Sequence, residues 1–95
     1  MDERLFIVSY DICYDRRWRR VFKLMGYGQW LQLSVFQCRL TARRRAEMAR
    51  RLEKLIHDRD DHVLILDLGP ADKVAPRVES LGKTFESAKR TAIVI

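Results

Sequence analysis

The sequence predicts an α+β domain of order β-α-β-β-α-β, and three observations carry that prediction. Residues 5–12 and 63–68 form two nearly continuous apolar runs rich in β-branched, aromatic and leucine side chains, the pattern of strands at the centre of a covered sheet. Two segments keep a helical period instead. Trp18, Val21, Phe22 and Met25 fall at i, i+3, i+4 and i+7, and Ala42, Ala46, Ala49, Leu52 and Ile56 keep a similar spacing. Between the two helices, residues 29–40 alternate in strand fashion.

The elements follow in order. The first strand ends on Tyr10, Asp11 and Ile12, and Asp15 stands where an N-cap would start the first helix. Gly26 and Gly28 stop that helix. Residues 29–40 are too many for one strand, so Ser34 marks a bulge or a tight turn between two. Thr41 caps the second helix, and residues 57–61 are a polar break. After the strand at 63–68, Gly69 and Pro70 end the pairing. Val74, Val78 and Leu81 permit a short helix, and residues 92–95 form an apolar terminal strand. Two helices on one face of an antiparallel sheet in this order make a ferredoxin-like arrangement. The terminal strand needs a sheet edge, and joining a partner's sheet in a homodimer supplies one.

A chain of 95 residues is expected to form one domain, 1–95. Its charge of +6 and pI of about 9.8 point to a polyanionic partner, above all nucleic acid. No apolar stretch reaches the roughly 18 residues of a membrane span, and no secretory leader is expected. That favours a cytoplasmic setting with no membrane partner, in which Cys13 and Cys38 stay reduced and pack as small hydrophobes.

Asp11 is the residue that most asks for chemistry. A carboxylate at the end of an apolar strand needs a turn to cap, an arginine such as Arg16 or Arg17, or a hydrated cation. A two-fold axis near it would duplicate it, and a pair of carboxylates completed by water suits Mg²⁺ or Mn²⁺. Five basic residues lie between Arg16 and Lys23 with no acidic partner four positions on, which leaves their repulsion unrelieved. Arg43, Arg44 and Arg45 begin the second helix, where the macrodipole disfavours cations and a bound phosphate would offset them. His57 and His62 read as a surface and a strand-edge histidine. Asp58, Asp60 and Asp61 lack the glycine and glutamate spacing of a calcium loop and read as a solvated turn. Tyr10 points to the sheet face opposite Asp11.

Tyr10-Asp11-Ile12, the arginines that follow, and the stretch from Gly26 to Cys38 with Gln32, Ser34, Val35 and Phe36 resemble the small CRISPR-associated Cas-two family. The resemblance implies a ferredoxin-like homodimer whose C-terminal strand joins the partner's sheet, with a divalent Mg²⁺ or Mn²⁺ ion shared by two copies of Asp11. It implies a metal-dependent endonuclease on RNA or double-stranded DNA. It also implies a subunit that holds duplex DNA and joins the CRISPR integrase in spacer acquisition. Tyr10 and Asp11 would be its catalytic positions, Arg16, Arg17 and Arg20 would face nucleic acid, and Phe36 matches the family's strand. Trp30 departs from the family, which commonly has arginine there, and Arg43–Arg45 replace an often acidic start of the second helix. A toxin-type ribonuclease or a ferredoxin-like RNA-binding module shares the fold and stays open as an alternative.

Overall fold

A computed structural model describes residues 2–82. Four strands, β1 (Glu3–Asp11), β2 (Gln29–Gln32), β3 (Val35–Thr41) and β4 (His62–Pro70), form one antiparallel sheet in the order β2-β3-β1-β4. Helices α1 (Asp15–Leu24) and α2 (Ala42–Leu55) supply the two crossovers. This is the ferredoxin-like topology that the order of elements predicts. The terminal strand expected at 92–95 lies outside the described residues.

Strand alternation decides what is buried. Phe6, Val8 and Tyr10 of β1 join Phe36, Cys38 and Leu40 of β3, Val21 and Phe22 of α1, and Met48 and Leu52 of α2 in one core. Its aromatic centre is continuous: Trp18 stacks on Phe22 at 5.2 Å, Phe22 meets Phe36 edge-on at 5.5 Å, and Phe36 stacks on Tyr10 at 6.2 Å. The α1 stripe read from the sequence is the one the core uses. On α2 the buried residues are Met48 and Leu52, whereas Ala42 is exposed. An alanine stripe offers too little area to fix the helix's rotation, so the larger Met48 turns inward.

Two helix starts contrast. Thr41 caps α2 as expected, its Oγ1 accepting the Arg44 N–H at 3.2 Å. At α1 the cap position is Tyr14, with no side-chain cap hydrogen bond, and Asp15 occupies the first turn. There its charge still complements the helix dipole. The helix exit also differs from expectation. Leu24 runs into a 3₁₀ turn, Met25–Tyr27, and Gly28 is extended at φ −144°. Gly28 is needed for close approach, because a Cβ there would lie 2.3 Å from Cys38 Sγ.

Residues 33 and 34 make the tight turn between β2 and β3, with Leu33 at φ +42°. The Trp18 indole N–H donates to Ser34 Oγ at 2.8 Å, and the Trp30 indole N–H donates to the Leu33 carbonyl at 3.1 Å. The expected central strand at 63–68 is instead an edge: β4 pairs only with β1 within the described sheet. Leu64, Leu66 and Leu68 accordingly remain 50, 47 and 38% exposed on the face away from the helices. Beyond a turn at 71–73, residues 74–82 carry no helix, and Val78 and Leu81 are exposed.

Candidate nucleic-acid and cation site

Asp11 is the last residue of β1 and is exposed. Its neighbour Tyr10 is 6% exposed and lies in the core, its ring against Trp18 and Phe36. Alternation therefore sends the two proposed catalytic side chains to opposite faces of the sheet. Phe36 is likewise fully buried. What the structure does bring to Asp11 is His62, its direct cross-strand neighbour at the start of β4.

The ends of both strands are fixed by a residue the sequence reading placed in solvent. Asp61 is buried, and its side chain is 0% exposed. Its Oδ1 accepts the Cys13 N–H at 2.9 Å and an Arg17 Nη2–H at 3.2 Å. Its Oδ2 accepts Arg17 Nε–H at 2.7 Å and the His57 N–H at 2.8 Å. Four donors thus close on two oxygens, joining the loop after β1, helix α1 and the loop before β4. The Arg17 guanidinium, helped by the two backbone N–H groups, holds the Asp61 carboxyl well below the usual carboxylate range despite its burial. Asp58, Asp60 and Asp61 look alike in sequence. The one signal that separates Asp61 is its place directly before the strand, opposite an arginine on the flank of an apolar helix stripe.

The basic residues sort into two groups. Arg17 is committed to Asp61 and lies over the Tyr14 ring at 4.7 Å. Arg16, Arg19, Arg20 and Lys23 are exposed and share a shallow cleft with Asp15. Their spacing of i, i+3, i+4 and i+7 makes a second stripe, opposite the apolar one. It extends for about 10 Å along α1, the rise of about three nucleotides in one strand of duplex DNA. Among the described residues none of these four takes part in an ion pair. On α2, Arg43 is exposed and Arg45 partly buried, while Arg44 lies over the Tyr27 ring at 4.8 Å. Tyr27 donates its hydroxyl proton to Glu47 and accepts from Arg51 Nη1 at 3.1 Å. The Tyr27 bond, with the arginines around it, holds the Glu47 carboxyl below its ordinary value. The arginine run at 43–45 is therefore partly occupied within the chain.

Cys38 packs in the core as expected, where burial pushes its thiol up to about 11, whereas Cys13 is exposed. No group of three or more histidine, cysteine, aspartate or glutamate side chains converges among the described residues. Each chain offers the oxygens of Asp11 at an open strand end. That donor set fits a cation that keeps most of its water or draws on a second copy of the chain, as Mg²⁺ and Mn²⁺ do.

Fold and site together define a ferredoxin-like protein with an exposed carboxylate at the end of its first strand and a cationic stripe along its first helix. The sequence profile of the family CRISPR associated protein Cas2 matches residues 4–74. Relatives named CRISPR-associated endoribonuclease Cas2 extend over nearly the whole chain. The one from Rhodospirillum rubrum is 60% identical over 98% of this chain and 92% of its own. The one from Geobacter sulfurreducens is 55% identical over 98% and 99%. Among solved structures, a hypothetical protein from Thermus thermophilus superposes with a TM-score of 0.71 at 36% identity, covering 88% of this chain and 99% of that one. Cas2 of Streptococcus pyogenes superposes with a TM-score of 0.68 at 33% identity, covering 82% and 99%. The chain belongs to the CRISPR-associated Cas2 family. No helix among the described residues is long and apolar enough to cross a membrane.

Proposed function

We propose that this protein is a divalent-cation-dependent endonuclease of CRISPR defence that acts as a homodimer on nucleic-acid backbone. The observations that carry the reading are the exposed cationic stripe of α1 and the exposed carboxylate of Asp11 at the end of the strand that leads into that helix. The names of the relatives support the activity and favour RNA as the first substrate to try.

Each part of the chain has a distinct task. Arg16, Arg19, Arg20 and Lys23 neutralise successive phosphates and orient the strand without reading bases. Asp11 holds the cation, with Mg²⁺ or Mn²⁺ as its cofactor. Such an ion, when bound, activates water and stabilises charge on a phosphoryl oxygen. Asp61 and Arg17 keep the two loops from moving, so that Asp11 is presented at a fixed place. Tyr10 contributes from below by anchoring the strand end in the core.

The dimer is supported by the open sheet face. Leu64, Leu66 and Leu68 line an edge strand on the same side as Asp11, and a second copy of the chain covers them and doubles the carboxylate. A second reading, a subunit that holds duplex DNA for the integrase, draws on the exposed Arg43 beside the partly buried Arg45 of α2. The deciding assay compares purified wild type and Asp11→Asn on RNA and duplex DNA, with Mg²⁺ and with EDTA. Cleavage by the wild type that falls to the EDTA background in the variant is expected. Equal cleavage by the two proteins would remove Asp11 from the reaction.

A further inference from the structure

We infer that His62 is a second protein donor to the cation at Asp11, which turns a hard oxygen site into one that favours Mn²⁺-type ions over Mg²⁺. The inference rests on the reading of Asp11 as a cation ligand and adds a residue that reading does not use.

The geometry comes from the β1–β4 ladder. Asp11 and His62 are direct partners in its antiparallel register, so their side chains leave the same face of the sheet. Directly opposed residues have Cβ atoms about 4.5–5.5 Å apart, close enough for a carboxylate and an imidazole to meet one ion at roughly 2 Å each. Both residues are exposed, and among the described residues neither side chain takes part in an ion pair or a side-chain hydrogen bond. His57 differs: its Nδ1 accepts the Arg59 N–H at 3.3 Å and lies 3.4 Å from the Asp60 carboxylate.

The pair is also held in place. Asp61 immediately precedes His62 and binds the backbone of Cys13, two residues beyond Asp11. One buried carboxylate therefore fixes both strand ends, which is the supporting role a metal site asks of its surroundings. Donor chemistry then sets the preference. Imidazole binds first-row transition ions well, whereas Mg²⁺ prefers oxygen and retains its water. A dimer across the open face would bring two carboxylates and two imidazoles to the strand ends.

The chain has only two histidines, so each serves as the other's control. With ¹⁵N-labelled histidine, Mn²⁺ added below one equivalent should broaden the His62 ring signals well before those of His57, and Zn²⁺ should shift one His62 ring nitrogen. By calorimetry, His62→Asn should weaken Mn²⁺ binding about tenfold or more, the scale known for losing even an outer partner of a metal ligand. Its effect on Mg²⁺ should stay within about threefold. His62→Asp should bind Mg²⁺ at least as well as the wild type and lose the preference for Mn²⁺. Unchanged Mn²⁺ affinity in His62→Asn, with affinity lost in Asp11→Asn, would overturn the role of His62 and leave Asp11 standing. Unchanged affinity in both variants would overturn the cation reading of Asp11 as well. Circular dichroism confirms that each exposed variant is folded.

Discussion

Asp61→Asn removes one charge at almost constant shape, and the structure says why so small a change should be costly. Each carboxylate oxygen receives two N–H groups: Cys13 N and Arg17 Nη2 on Oδ1, Arg17 Nε and His57 N on Oδ2. An asparagine must turn its NH₂ toward one of these pairs, so two donors face a third and two hydrogen bonds are lost. A buried N–H left without an acceptor costs about 1–3 kcal/mol, and bonds to a charged acceptor are stronger than neutral ones. Arg17 keeps some contact with water, its side chain being 22% exposed, which moderates the loss. We expect about 2–4 kcal/mol, or a fall in Tm of about 10–20 °C for a domain of this size at fixed protein concentration. The pH dependence has a defined sign. The folded carboxyl of Asp61 is held below its unfolded value, so its stabilisation is complete above about pH 4 and is lost as pH falls further. The gap between wild type and variant should therefore close in acid. Thermal unfolding followed by circular dichroism between pH 7 and pH 2 is the assay. A variant with unchanged Tm at pH 7, or a gap that persists undiminished in acid, would refute the clamp.

Two further predictions concern the surfaces. Replacing Arg16, Arg19 and Arg20 together with glutamine should flatten the slope of log K against log salt by about 2.7 for duplex DNA and about 2 for single strands, whereas Arg17→Gln should lower Tm with little change in slope. Fluorescence anisotropy across a salt series measures both. Leu66→Asp places a charge on the open sheet face without touching the core, and light scattering should report a shift from dimer to monomer.

The core was legible in the sequence because period and residue size agreed. Trp18, Val21, Phe22 and Met25 declared the buried side of α1, and the complementary spacing of Arg16, Arg19, Arg20 and Lys23 declared its exposed side. The turn at Ser34 and the cap at Thr41 were readable for the same local reason. The buried face of α2 differs from the alanine stripe because alanines mark a helix face only weakly, and Met48 outweighs them. The run at 63–68 looked central because an edge strand whose outer face is apolar has the composition of a buried one. Asp61 is the instructive miss. Its importance comes from pairing with a residue 44 positions away, Arg17, and no local pattern records that. Arg17, expected among the phosphate-facing arginines, turns to Asp61 for the same reason.

An ion held jointly by two chains at Asp11 is the centre of the proposed function. Mn²⁺ binding to the purified protein, measured by calorimetry together with the mass of the species in solution, tests this directly. One ion per two chains, in a dimer, with binding abolished by Asp11→Asn, is the predicted result. One ion per chain in a monomer, or undiminished binding in Asp11→Asn, would contradict it.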